Sequence, residues 1–197
     1  ITERKMALEA QEKLKFTKEL FQLNKAYERF VPSEFLSLLN KQSIVDVNFG
    51  DHVEKEMTIM FADIRGFTTL SENLSPQEIF DFINAYLSKM EPLILEHHGI
   101  IDKYIGDAIM ALFPTNADDA VQAALGMLKT LALYNQAREQ EERLPINIGI
   151  GLNSGHLMLG TVGGHNRMDG TVISDAVNLA SHVKGLAKLY GTPLLIT

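Results

Sequence analysis

From Glu56 onward the chain alternates strand-like and helix-like patterning in an order that few folds can accommodate. EMTIMFADI is an apolar strand that ends in polar residues. SPQEIFDFINAYLSKMEPLILEHHG is a long helix pattern, with Ser75 as N-cap, Pro76 in the first turn and Gly99 at the end. IIDKYIGDAIMALFP reads as two strands joined by a Gly106-Asp107 hairpin turn. A second long helix, opened by Asn116 or Asp118, runs from about Ala117 to Glu142. INIGIGLNSG is again a strand, and LMLGTVGG with TVISD suggests a further strand and loop. DAVNLASHVKGLAKLYG is a third helix, and PLLIT starts a last strand.

The order β-α-β-β-α-β with additions predicts an α+β domain of ferredoxin-like arrangement, one antiparallel sheet carrying helices on one face. With 46% apolar residues in 197, the chain can bury one sizeable core and carry an appendage. A net charge of −7 leaves no basic footprint for a phosphate backbone, so no nucleic-acid partner is expected. The lack of cysteine excludes disulfides and thiolate metal sites and suits a reducing compartment. No apolar run approaches the roughly 20 residues that span a bilayer. The opening ITERKMALEAQEK is charged and helical where a signal peptide is apolar, so a cytoplasmic domain is expected.

Residues 1–30 lack Gly and Pro. Phe16, Leu20, Leu23, Tyr27 and Phe30 follow the a/d spacing of a coiled coil, interrupted upstream by Glu9 and Lys13 before Met6. The same pattern suits one amphipathic helix lying on its own domain. No residue caps its start, as in a chain cut from something longer. Pro32 stops this helix, and Ser33 looks like the cap of a second, short one in EFLSLLN. The organisation expected is an N-terminal coiled-coil helix over 1–30, a linker over 31–55, and the main domain over 56–197.

Two segments share a form in which an apolar strand delivers an aspartate to a glycine-containing turn. In MFADIRGF, Asp63 ends the strand, and Gly66 lets successive backbone N–H groups face an anion. In DKYIGDAIM, Asp107 sits on the hairpin tip. If the two strands are neighbours, both carboxylates reach one sheet edge and repel unless a cation lies between them. A divalent ion such as Mg²⁺, bound by one or two carboxylates and completed by substrate phosphates, fits that need. The alternative is that Asp63 caps the following turn and Asp107 is an ordinary turn residue.

Other candidates carry less. His97 and His98 point to different faces beside a helix C-terminus, where a cation suits the dipole. The glycine pairs match neither a GxxxxGK phosphate loop nor a GxGxxG helix opening. A Ser/His/Asp triad could be assembled only by arbitrary choice. In DAVNLASH, Ala176, Val177, Leu179 and Ala180 are expected to pack inward. Asn178 and His182, four apart, share one helix face as a ligand clamp or a solvated stripe.

Taken together, FADIRGFTTLSE, DKYIGDAIMALF and NRMDGTVISDAVNLAS strongly resemble the class III nucleotidyl cyclases, and more closely the bacterial, cyanobacterial-type adenylate cyclases. The resemblance spans about Phe30 to Thr197. It implies conversion of ATP to 3′,5′-cyclic AMP and pyrophosphate, with two divalent cations, Mg²⁺ or Mn²⁺, held by Asp63 and Asp107 and the carbonyl of Ile64. The backbone at Arg65, Gly66, Phe67 and Thr68 matches the family's phosphate-binding turn. Lys103 and Thr171 stand at its two base-reading positions. A lysine donates to adenine N1 and a threonine hydroxyl accepts from N6, whereas the related guanylate cyclases carry an acidic residue in place of the lysine. Asn178 matches the residue that orients the ribose. The family works as a head-to-tail homodimer with sites in the interface, so the N-terminal seam would join two such domains and relay a signal from an upstream sensor. A membrane-bound receptor upstream is compatible with this.

Two departures stand out. The family's NxASR motif ends in an arginine that stabilises charge on the α-phosphate, and His182 occupies that position. A histidine is shorter than an arginine and mostly neutral at pH 7. Family members also continue for some tens of residues past PLLIT and supply from there a lysine that contacts phosphate. Three readings follow: an active adenylate cyclase domain, slow or pH-sensitive through His182; a cyclase-like module that binds ATP but turns over poorly; and a diguanylate cyclase or other palm-type polymerase relative. The turn YIGDAI at residues 104–109 is not GGDEF-like, which speaks against the third.

Overall fold

The computed structural model describes residues 2–28, 30–164 and 167–197. Ile1 and Arg29 of the expected first helix, and Asn166 at the head of the third motif, lie outside the described residues. The chain divides into two compact units, residues 1–47 and 48–197.

The first unit contains α1 (Thr2–Tyr27), α2 (Ser33–Leu38) and a 3₁₀ turn at Ile44–Asp46. Helix α1 ends at Tyr27, so Phe30, the last position of the expected seam, lies beyond it. Phe16, Leu20, Leu23 and Tyr27 are all half exposed or more. Pro32, not Ser33, is the N-cap of α2, and it supplies no side-chain cap. Among the described residues no helix is long and apolar enough to cross a membrane.

The second unit is built on β1 (His52–Ile64), β2 (Ile100–Ile105), β3 (Ala108–Phe113), β4 (Ile148–Gly164), β5 (Arg167–Ile173) and β6 (Leu194–Ile196). The helices are α3 (Phe67–Ser71), α4 (Pro76–Glu96), α5 (Ala117–Gln140) and α6 (Asp175–Leu189). The strand order is β2-β3-β1-β4-β5, all pairs antiparallel, with β6 added parallel to β4. The local signals act as expected. Ser75 and Glu78 form a capping box on α4, and the Asn116 side chain caps α5 by accepting from the Asp118 N–H.

Strand parity sets the layers. Met60, Ala62 and Ile64 of β1, with Ile148, Ile150 and Leu152 of β4, face a core closed by α4 and α5. Ala120, Ala123, Ala124 and Met127 recur at helical spacing, so α5 approaches the sheet with small side chains.

The opposite face departs from the sequence expectation that helices lie on one face only. In INIGIGLNSG the residues alternating with the core isoleucines are Gly149 and Gly151, which leave a groove without side chains. Helix α6 lies in it. A Cβ added at Gly151 would stand 2.7 Å from both the Ala180 carbonyl oxygen and the Lys184 Cα. Ala180, Val183 and Ala187 are buried there, whereas Leu179, expected to pack inward, is 46% exposed. A second difference is that β4 runs unbroken for 17 residues, so the segments read as INIGIGLNSG and LMLGTVGG are one strand. Its first half pairs with the end of β1 and its second half with both the start of β1 and β5.

Candidate active site

The structure gathers the sequence-derived residues into two clusters. The first lies at the C-terminal end of β1. Ala62 pairs with Ile109 and Ile105 with Ala108, which places the Gly106-Asp107 turn beside Asp63. The Ile64 N–H donates to Asp107 Oδ2 at 2.9 Å. Burial pushes the Asp107 carboxyl above the usual carboxylate range. The N–H groups of Ile64 and of Asp107 itself oppose that shift, the Asp63 charge adds to it, and Lys184 opposes it.

Two groups not foreseen from sequence complete this cluster. The Lys184 ammonium donates to Asp63 Oδ2 at 2.6 Å. The Tyr86 hydroxyl, carried by α4, is buried with no hydrogen-bond partner among the described residues. Burial, then the charges of Asp107 and Asp63, pushes its ionisation well above the ordinary tyrosine range. Lys184 had a legible signal, because it falls on the stripe Val177, Ala180, Lys184, Ala187 whose other members are apolar.

The pair of hard oxygen ligands suits a hard divalent cation, and the ammonium already drawn to Asp63 shows that a positive charge is accommodated there. Among the described residues no group of three His, Cys, Asp or Glu side chains gathers anywhere. A metal at this pair therefore needs further ligands from backbone, water or a bound anion.

The adjoining turn is organised differently from the sequence reading. Gly66 adopts φ +70, the left-handed region, and redirects the chain into α3. The Arg65 N–H is already spent on the Asn147 carbonyl at 2.7 Å. Its guanidinium points to α6, donating to the carbonyls of Ala187 and Thr192. The N–H groups free of intrahelical acceptors start after Gly66, at Phe67 and Thr68. The Phe67 ring packs on the core and stacks on Phe82 with centroids 6.3 Å apart, which anchors this turn.

The second cluster joins β2 to β5. The Lys103 ammonium donates to Thr171 Oγ1 at 2.9 Å and lies 3.4 Å from the Asp102 carboxylate, whose side chain is 1% exposed. Burial raises the Asp102 ionisation and Lys103 opposes the rise. A cleft of about 500 Å³, lined by Val172 to Asp175, Val177 and Asn178, opens beside Thr171 at the start of α6. Asn178 and His182 share one exposed face of α6 and make no side-chain hydrogen bond among the described residues. Lys184, two residues beyond His182, is turned instead toward β1. The metal-type pair and the Asn178 face are thus not assembled into one pocket within a single chain.

Comparison with known proteins identifies the family. Residues 51–190 match the family model described as the adenylate and guanylate cyclase catalytic domain, and the chain belongs to that family. It is 48% identical over 177 residues to an adenylate cyclase of Anabaena cylindrica, covering 87% of this chain and 35% of that protein. It therefore spans about a third of that relative's length. A bacterial light-regulated adenylyl cyclase superposes with a TM-score of 0.82 at 29% identity, covering 95% of this chain and 55% of the other. The adenylyl cyclase CyaB of P. aeruginosa matches at 35% identity and a TM-score of 0.60, covering 68% and 74%.

Proposed function

We propose that this chain is an adenylate cyclase domain that converts ATP to 3′,5′-cyclic AMP and pyrophosphate in a head-to-tail homodimer. The strand order supports reading the sheet as the ferredoxin-like arrangement, and the exposed apolar stripe of α1 supports a coiled-coil role. The observation that carries substrate choice is the Lys103–Thr171 contact. One ammonium hydrogen is used on Thr171, leaving another for adenine N1, while the second lone pair of the hydroxyl accepts from N6. The nearly inaccessible Asp102 carboxylate beside Lys103 aims the amine.

Asp63 and Asp107, with the Ile64 carbonyl, would hold two divalent cations, which supply charge that acidifies the ribose 3′-hydroxyl and offsets the departing pyrophosphate. Phe67 and Thr68 present backbone donors after Gly66 to the phosphates. Asn178, facing away from its own chain's carboxylates, orients the ribose over the carboxylates of the second copy. His182 stands beside the α-phosphate, where developing charge needs a donor.

Lys103→Glu tests the base reading. The glutamate repels adenine N1 and accepts from guanine N1, so kcat/KM for ATP should fall about 10- to 100-fold relative to GTP. An unchanged ATP preference would remove Lys103 from the site. A second reading, a nucleotide-binding module with poor turnover, is favoured by the short side chain of His182 and by its making no side-chain hydrogen bond among the described residues. His182→Arg should raise cyclic AMP formation by up to about 10²-fold, measured with Mn²⁺ and Mg²⁺ across pH 6 to 9. High activity that the arginine does not improve would show that His182 is no handicap. ATP binding without product in either version would favour the module.

A further inference from the structure

The Lys184–Asp63 pair joins a lysine of α6 to an expected metal ligand of the same chain. Its position is built by the fold. The backbone of Lys184 rests on Gly151, where a Cβ would meet it, so the residue is fixed over β4. The C-terminal end of α6 is tied to β1 by the Arg65 guanidinium through Ala187 and Thr192. The Lys184 stem therefore crosses β4 and brings the ammonium to Asp63, with the two side chains 21% and 31% exposed.

The charged groups at this edge are the two carboxylates, the Lys184 ammonium and the Arg65 guanidinium, which flanks Asp63 Oδ1 over Gly149 and is held by the carbonyls of Ala187 and Thr192, with Tyr86 buried beside them. An entering divalent ion competes with the ammonium for the Asp63 carboxylate and repels it. We propose that Lys184 is a positioning residue, a tethered counter-ion that holds the Asp63 carboxylate in place without metal and must leave before a divalent cation binds. This inference rests on the metal reading of Asp63 and Asp107. Lysine suits the task because its flexible four-carbon stem lets the charge swing aside while the helix stays put. The displaced ammonium requires a new anionic partner, and an incoming triphosphate is one. Metal loading is thereby coupled to nucleotide entry.

The test is Mn²⁺ binding to the whole chain without nucleotide, read from the loss of the free-ion signal in electron paramagnetic resonance. Lys184→Met, close in length and uncharged, should bind Mn²⁺ roughly 3- to 10-fold more tightly than the parent. Mn²⁺ should also raise its melting temperature by more than it raises the parent's. Lys184→Arg, which keeps the charge, should stay near the parent. Equal or weaker Mn²⁺ binding by Lys184→Met, with the fold verified by its melting transition, overturns the proposal. Asp63→Asn separates the two levels. If it loses Mn²⁺ while Lys184→Met matches the parent, only the counter-ion role fails; if it binds Mn²⁺ as the parent does, the metal reading fails with it.

Discussion

Asp63→Asn and Asn178→Ala chains should each be nearly inactive alone and should recover activity when expressed together. Loss of a supporting residue around a metal ligand typically costs 10- to 100-fold, so replacing the ligand Asp63 should cost more than about 10²-fold. Removing a single donor that acts on the transition state costs about 10²–10³-fold, which sets the expectation for Asn178. Asn178 is exposed on the face of α6 that turns away from its own β1, while the cleft it lines sits by Thr171 and not by Asp63. In a two-fold dimer a mixed pair carries both substitutions in one site and neither in the other. A mixed dimer then keeps roughly half of the parent activity. Cyclic AMP formation by purified, differently tagged heterodimers is the measurement. Heterodimers as inactive as the single variants would place the whole reaction within one chain.

The second large effect concerns stability. Gly151→Val should lower the melting temperature by about 6–12 °C, corresponding to about 3 kcal/mol. The atoms that a side chain would meet are the Ala180 carbonyl oxygen and the Lys184 backbone. Backbone cannot rotate aside, so α6 must lift from β4 and lose the burial of Ala180, Val183 and Ala187. Gly185 supplies the control. It lies in the same helix with nothing within 4 Å of an added Cβ, and Gly185→Ala should stabilise by about 1 kcal/mol. Calorimetric scans of the two variants should therefore move in opposite directions. A Gly151→Val melting temperature equal to the parent's would mean that α6 is not seated as described.

Features set by neighbours in sequence were legible in advance. Ser75, Pro76 and Glu78 specify the start of α4 through bonds spanning three residues, and Gly106-Asp107 specifies its hairpin through turn geometry. What escaped depends on partners distant in the chain. Nothing local in LNSGHLML says whether Ser154 and Gly155 break the strand; their pairing with Thr58 and Met57 carries it through. The second helical layer followed from Gly149 and Gly151, which sit in a segment read as a strand with nothing local to say that a helix covers its second face. Leu179 turned outward because burial on α6 follows its contact with that groove. At the site, Asp63, Asp107, Lys103 and Thr171 were recognisable by motif. The commitment of the Arg65 N–H to Asn147, by contrast, could be found only from the β1–β4 register. Lys184 was visible as a charge on an apolar stripe, but its carboxylate partner was not.

The unbroken course of β4 has a further consequence. Near its start Gly149 lies opposite Asp63, and farther along Gly160 lies opposite Thr171. In the head-to-tail pair proposed above these two places would belong to different reaction centres, joined within each chain by one continuous strand.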